Sequence, residues 1–173
     1  MQDREPVQPL DVLVLLKLIS LGGVALPVRK LAESLGPVSK SAVDVSLKRL
    51  ESNGLLRAHD GRREVNRLVS RDLLEKAVQW IAPASVGRIV LGLATAHAAA
   101  PLADKLRSDA DPVVMPIPEG PVRGRAVTPL HPAAPVAASK DPKLHEILSV
   151  VDALRLGGAR DREIAVAELR SRI

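Results

Sequence analysis

The side chains most suited to chemistry in this chain are lysines and arginines concentrated in one segment. Residues 28–67 contain nine basic and five acidic residues, a net charge of +4, whereas the whole chain of 173 residues has a net charge of +5. Lysine and arginine bind phosphate oxygens through charge-assisted hydrogen bonds. The segment therefore has the charge of a surface that binds a polyanion, although solvated charged faces without a partner are also common.

The apolar pattern of this segment predicts two helices joined by a tight turn. Apolar residues recur at helical spacing over residues 28–35, and Gly36 ends the run. Ser39 is a favourable N-cap for the next helix, which we expect to continue to about Asn53. The inward side of that helix is expected to consist of Ala42, Val43, Leu47 and Leu50.

Another helix is predicted before this pair, over Leu10–Leu21. It is apolar nearly all round, which indicates burial on more than one face. We expect a core helix or, as an alternative, a helix that also lines a dimer interface.

A basic hairpin is predicted after the pair of helices. Leu55–Ala58 and Glu64–Val69 have the composition of short strands, and the Asp60-Gly61 pair between them is a strong hairpin signal. Ser70 is expected to cap a further helix over Arg71–Ile81.

The order of these elements is similar to that of a known DNA-binding module. The run VRKLAESLGPVSKSAVDVSLKRLESNGLL, followed by RAHDGRREVNRL, resembles the winged helix-turn-helix of small bacterial transcription regulators of the MarR and ArsR-like superfamily, over residues 10–81. The resemblance implies that residues 1–81 form a domain that binds double-stranded DNA, with the helix after Ser39 in the major groove. It also implies regulation of transcription, which we expect to be repression by a homodimer.

Two groups of residues are expected to contact DNA. The exposed stripe of the recognition helix and its flanks consist of Ser39, Lys40, Ser41, Asp44, Val45, Lys48 and Arg49. The hairpin, or wing, and the preceding helix supply the cations Arg29, Lys30, Arg57, Arg62, Arg63 and Arg67. Asp44 is the exception, since an acid on this face repels phosphate. A winged helix that binds only proteins is therefore the alternative.

Composition argues against several other classes of function. The chain has one aromatic residue, Trp80, whereas single-strand and RNA readers stack bases on aromatic side chains. It has no cysteine, so that disulfides and thiolate metal sites are excluded. The four histidines are scattered in no ligand spacing, and no catalytic signature is present. We expect no enzyme, no cofactor, no metal site and no membrane span, and a cytoplasmic location.

Residues 82–173 are predicted to form a small mixed α/β domain that ends in two helices, so that the whole chain is α+β and mostly α. Prolines are concentrated between residues 112 and 142. Two strands are predicted there, near Val113–Met115 and Arg123–Val127, as a solvated hairpin around Gly120 and Gly124, with an anion site as the alternative. The remaining segments are Ser85–Ala100, strand or helix; Pro101–Arg107, a helix; and two final helices over Asp141–Leu156 and Arg160–Ile173.

The second half carries a weaker resemblance. The runs PVVMPIPEGPVRGRAVTPLHP and DPKLHEILSVVDALRLGGARDREIA are similar to the C-terminal part of bacterial regulators encoded beside nucleotidyltransferases. This resemblance implies an antitoxin that binds a co-encoded toxin through residues 82–173 and represses its own gene. Ligand sensing or dimerisation by the same residues is the alternative.

Overall fold

The computed structural model of the chain describes residues 4–106 and 110–173. Within these ranges the fold is α+β, with eight α-helices, a two-stranded sheet and a three-stranded sheet. The helices are α1 Pro9–Ser20, α2 Val28–Leu35, α3 Lys40–Ser52, α4 Arg67–Lys76, α5 Val78–Ile81, α6 Ala134–Lys140, α7 Pro142–Leu156 and α8 Ala159–Arg172. The strands are β1 Leu56–His59, β2 Arg62–Val65, β3 Val86–Ala94, β4 Val113–Pro116 and β5 Val122–Val127.

Helix α1 lies at the centre of the molecule. Every residue from Asp11 to Lys17 is buried, and the helix packs against α3 on one side and α7 on another. The expected burial of this helix on more than one face is therefore confirmed. The apolar residues of both halves of the chain belong to one continuous core.

The hairpin is shorter than its sequence predicts. β2 ends at Val65 and α4 begins at Arg67, so the return strand does not reach residue 69, and Ser70 lies buried inside α4 instead of capping it. Asn66 causes the early turn, because its backbone N–H donates to Leu55 O at 2.9 Å and its side-chain amide to Gly54 O at 3.0 Å. Arg67 consequently lies at the start of α4 and not on the wing.

The three-stranded sheet differs from the predicted hairpin. β3 is antiparallel to both β4 and β5, while β4 and β5 are parallel to each other and close a small barrel. Gly120 and Gly124 are buried, because the backbones approach closely there. A Cβ at Gly124 would lie 2.4 Å from Pro112 O, and one at Gly120 would lie 2.4 Å from the Cα of Gly92. The predicted hairpin is therefore wrong, because β4 and β5 are parallel, while Arg123 and Arg125 beside these glycines are exposed.

The segments between the strands are also assigned by the structure. Residues 85–100, left open as strand or helix, form β3 and a short 3₁₀ helix over Ala96–Ala98. Residues 101–105 form hydrogen-bonded turns rather than the expected α-helix, and Arg107 lies outside the described residues. The two predicted final helices are present as α7 and α8.

An ion pair joins the two halves of the chain. Asp141 caps α7 by accepting from the backbone N–H groups of Lys143 and Leu144, and its other oxygen accepts from Lys17 Nζ at 2.7 Å and Ser20 Oγ at 3.0 Å. Burial raises the pKa of Asp141, but the hydrogen bonds from Lys17, Leu144 and Ser20 outweigh it, so the pKa is lower than usual. Asp141 therefore stabilises the fold in its charged form.

Replacing Asp141 by asparagine is expected to lower the free energy of unfolding at pH 7 by about 1.5 kcal/mol, the size of a hydrogen bond to a charged group. The variant keeps a capping side chain but loses the negative charge beside Lys17, whose side chain is 7% exposed. A carboxyl group with a lowered pKa stabilises the fold at pH values above its unfolded-state pKa near 3.9, and this stabilisation is lost as the pH falls through its folded-state pKa. The free energies of unfolding of the two proteins should therefore converge in acid.

Urea unfolding followed by circular dichroism at pH 7 and at pH 3 measures this convergence. Asp72→Asn is the control, since Asp72 pairs with Lys76 on an exposed helix face and is expected to matter by less than about 0.5 kcal/mol. A difference between Asp141→Asn and the native chain that stays constant with pH would contradict the assignment.

Candidate nucleic-acid interface

The N-terminal part of α3 presents the polar stripe that the sequence predicts. Ser39 caps the helix, with its Oγ accepting from the Ala42 N–H at 3.1 Å and lying 3.1 Å from Ser41 Oγ. Val45 is 50% exposed, and Lys40, Ser41 and Lys48 are exposed. Asp44 is half-buried at the edge of the same face. Small and polar side chains on one exposed helix face are suited to contact with the edges of base pairs.

The inward face of α3 differs from its prediction at one position. Val43, Leu47 and Leu50 are buried as expected, but Ala42 is only half-buried and Ser46 is buried instead.

Arg49, predicted to contact DNA, is occupied by two carboxylates of its own chain. Its guanidinium donates to both oxygens of Asp11 at 3.1 Å and to Glu5 Oε2 at 3.0 Å. The hydrogen bonds to Asp11 raise the pKa of Arg49 further above its usual range. Asp11 is 0% exposed and also accepts the Gln8 N–H at 2.7 Å. Arg49 thus ties α3 to α1.

The variant Arg49→Ala is expected to lower the free energy of unfolding by about 2 kcal/mol, because it leaves the buried Asp11 carboxylate without its cation. This loss is smaller than the roughly 3–5 kcal/mol usual for breaking a fully buried ion pair, because the side chain of Arg49 is itself 16% exposed. Lys48→Ala is a matched control on the neighbouring position, where the side chain is exposed, and should change stability by less than about 0.5 kcal/mol. Equal effects of the two substitutions in urea unfolding would contradict the structural role of Arg49.

The hairpin projects into solvent from the end of α3. β1 and β2 are antiparallel, and Asp60 and Gly61 at the tip both have positive φ, of 48° and 73°, as a two-residue hairpin turn requires. Arg57 and Arg62 are exposed on the two strands. Arg63 donates to Glu51 on α3 at 2.5 Å, which holds the hairpin against the helix.

The cations of α2 form a third group. Arg29 Nε and Lys30 Nζ both lie 3.1 Å from the Glu33 carboxylate. Hydrogen bonds from Lys30 and then Arg29 lower the pKa of Glu33. Since all three side chains are exposed, these pairs are weak and open to exchange with another anion.

The structure thus divides the nine predicted cations into two classes. Arg29, Lys30, Arg49 and Arg63 pair with carboxylates. The others are exposed and have no ion pair within the described residues; they are Lys40, Lys48, Arg57, Arg62 and Arg67. These five side chains are free to donate hydrogen bonds to phosphate oxygens, with a strength that falls as salt concentration rises.

Two of the histidines make local hydrogen bonds to the backbone. His145 Nε2 lies 2.7 Å from Ala94 O, His131 Nδ1 accepts from the Ala133 N–H at 3.1 Å, and burial lowers the pKa of His131. In the ranges that the structure describes, no group of three or more histidine or acidic side chains is arranged to hold a metal ion. No helix there has both the length and the apolar character of a membrane span.

Comparisons of the chain with protein-family models, with curated proteins and with solved structures find no match.

Proposed function

We propose that residues 1–81 are a winged helix-turn-helix that binds double-stranded DNA, and that the chain is a transcription regulator. The observation that supports the proposal is the exposed stripe of α3, on which Lys40 and Lys48 flank small and polar side chains. Neither lysine has a carboxylate partner in the described part of the chain. The hairpin that follows α3 adds Arg57 and Arg62 in the same unpaired state.

The proposed contacts follow from the chemistry of the groove. Helix α3 enters the major groove, where Val45 touches a thymine methyl group and Asp44 accepts from a cytosine amino group. Lys48 and the hairpin arginines donate to phosphates, which fixes the position of the helix without reading sequence. The N-terminus of α3, which begins after the Ser39 cap, is exposed. Backbone N–H groups and the helix dipole favour a phosphate at such a position.

A homodimer completes the proposal. One recognition helix reads only a few base pairs, and two copies related by a two-fold axis read half-sites about 34–36 Å apart. Binding across a promoter would then repress transcription by occlusion. The regulator would occupy the DNA upstream of its own gene.

Fluorescence anisotropy with labelled duplexes tests the proposal directly. The full chain is titrated onto the DNA upstream of its own gene and onto a scrambled duplex, each over a series of salt concentrations. Tighter binding to the upstream duplex, with affinity that falls steeply with salt, is the expected result. Equal weak binding to both duplexes, or binding insensitive to salt, would favour a protein-interaction module instead.

A second candidate function, binding of a partner protein such as a toxin through residues 82–173, is favoured by one surface. Ile89 and Leu91 on β3 are 51% and 50% exposed. They lie opposite Arg125 and Arg123 of β5, so that apolar and cationic side chains share one face of the sheet. Such a face fits a partner that presents acidic residues around an apolar centre.

Co-expression with the product of the neighbouring gene tests this candidate. The native chain should co-purify with that product in a stable ratio, and the variant Ile89→Asp should not, because a charge replaces the apolar contact. No complex with the native chain, or an equally stable complex with the variant, would remove this surface from consideration.

A further inference from the structure

A groove lies along strand β2 of the hairpin, from the turn at Gly61 to the end of the strand at Val65. It is bounded by the loop between α1 and α2, by Gly61–Val65 of the hairpin and by the end of α8. Its volume of about 560 Å³ falls within the range of small-molecule sites, which is about 300–1,000 Å³.

The floor of the groove is aliphatic. Leu31 of α2 and Leu47 of α3 are buried beneath it, and Ile19, Val28 and Val65 are half-buried along its sides. Trp80, the only aromatic residue of the chain, is not among the lining residues. The surface therefore offers contact to a flexible alkyl chain rather than a stacking platform for a planar ring.

The rim of the groove is cationic. Four arginines line it, against one acidic residue, Glu64. Arg63 pairs with Glu51, and Arg172 pairs with Glu168 at 2.6 Å. Arg62 and Arg67 have no carboxylate partner in the described ranges. Two unpaired guanidinium groups beside an apolar floor are complementary to a molecule with an anionic head and an alkyl body.

We propose that this groove binds a small aliphatic carboxylate, whose chain lies along Ile19, Val28 and Val65 and whose head group pairs with Arg62 and Arg67. Burial of the alkyl chain supplies the affinity, because removing apolar surface from water is favourable. The arginine pair selects the ionised acid over a neutral molecule of the same length.

The site is placed to influence the hairpin. Gly61–Val65 form one of its walls, and Arg62 is also one of the cations assigned to DNA above. A carboxylate bound to Arg62 competes with phosphate, so the ligand and DNA weaken each other's binding to the same extent. This coupling rests on the proposed DNA-binding function, whereas the site itself does not.

Isothermal titration calorimetry of the full chain, without DNA, tests the site. Octanoate is the probe and octan-1-ol the control of equal chain length without charge. Octanoate is expected to bind to one site, at least about tenfold more tightly than octan-1-ol, which corresponds to a charge-assisted contact of about 1.4 kcal/mol. Absence of octanoate binding, or equal binding of the alcohol, would overturn the proposal.

Two variants locate the binding. Arg67→Gln, at the first position of α4, removes a cation from a helix N-terminus and should leave the fold intact while raising the octanoate dissociation constant about tenfold. Val28→Asp, at the first position of α2, places a negative charge inside the groove at a position where helices favour acids, and should abolish binding. Arg88→Gln removes an exposed arginine outside the groove and serves as the matched control. Unchanged octanoate binding by both groove variants would show that the ligand binds elsewhere.

Adding octanoate to the anisotropy measurement separates the two proposals. Where the chain binds its upstream duplex, octanoate should raise the DNA dissociation constant, and an unchanged constant would overturn the coupling. A chain that binds octanoate but no DNA would overturn the proposed function and leave the site in place.

Discussion

Replacing Arg155 by alanine is expected to lower the free energy of unfolding by about 4 kcal/mol, the largest loss we expect from a single side chain. The side chain of Arg155 is 0% exposed. Its guanidinium donates to Asp152 at 2.6 Å, to Ala82 O at 2.7 Å, to Thr128 O at 2.9 Å and to Pro83 O at 3.3 Å. One side chain therefore holds together α7, the entry to β3 and the exit from β5.

The loss is large because of what the substitution leaves behind. Burial raises the pKa of Asp152 above its usual value, against the opposing effects of the Arg155 guanidinium and the Thr95 hydroxyl, which donates at 2.7 Å. Without Arg155 the carboxyl pKa rises further, and the group must take up a proton or remain as an unpaired buried charge. Three backbone oxygens lose their donor in the same change.

Urea unfolding followed by circular dichroism measures the effect. Arg160→Ala removes an exposed arginine from the first turn of α8 and should alter stability by less than about 0.5 kcal/mol. The double variant Arg155→Met, Asp152→Asn should recover part of the loss, because it replaces the ion pair by neutral side chains of similar volume. A loss from Arg155→Ala of less than about 1 kcal/mol would show that this cluster does not hold the segments together.

Local signals were sufficient to predict α2 and α3. The apolar spacing over residues 28–35 and the N-cap at Ser39 act within one or two helical turns, and both helices begin where these signals lie. The tip of the hairpin was predictable for the same reason, since Asp60-Gly61 itself favours the positive φ values of the turn.

The three-stranded sheet was not predictable from such signals. Glycines between two short strands indicate a hairpin when only neighbours in sequence are considered. In the structure the backbone of Pro112 lies too close to Gly124 for a side chain, and the backbone of Gly92 lies too close to Gly120. The need for these glycines therefore depends on which strands meet in the barrel. The pairing of β4 with β5 is set by packing and not by the turn between them.

The position of the candidate interface was predictable from the sequence, but the ion pairs of its cations were not. A count of lysines and arginines locates the basic surface, but it does not show which cations are already paired. Arg49 meets Asp11 on a helix 38 residues away, and Arg63 meets Glu51 across the base of the hairpin. Tertiary contacts therefore decide which of the predicted residues are available to phosphate.

This division of the cations leads to the second large effect, on DNA binding. The double variant Arg57→Ala, Arg62→Ala removes two exposed hairpin cations that have no ion pair in the described residues. If each releases about one counterion from duplex DNA, affinity at about 0.1 M salt falls about 50-fold and the slope of log affinity against log salt becomes shallower by about two. The loss should be the same for the upstream and the scrambled duplex, because phosphate contacts carry no sequence information.

The matched control for this variant is Arg88→Ala, Arg160→Ala, which removes the same charge from exposed positions of the second half. If DNA lies along the hairpin, the control keeps the native salt slope and nearly the native affinity, while the hairpin variant loses both. If the two variants lose affinity equally, attraction depends on the net charge of the whole protein and not on a defined surface. Anisotropy titrations of the three proteins over one salt series distinguish these cases. A localised contact makes the salt slope shallower only when the hairpin arginines are removed, in proportion to the phosphates that they neutralise. A diffuse field makes the slope shallower by the same amount for either pair of arginines.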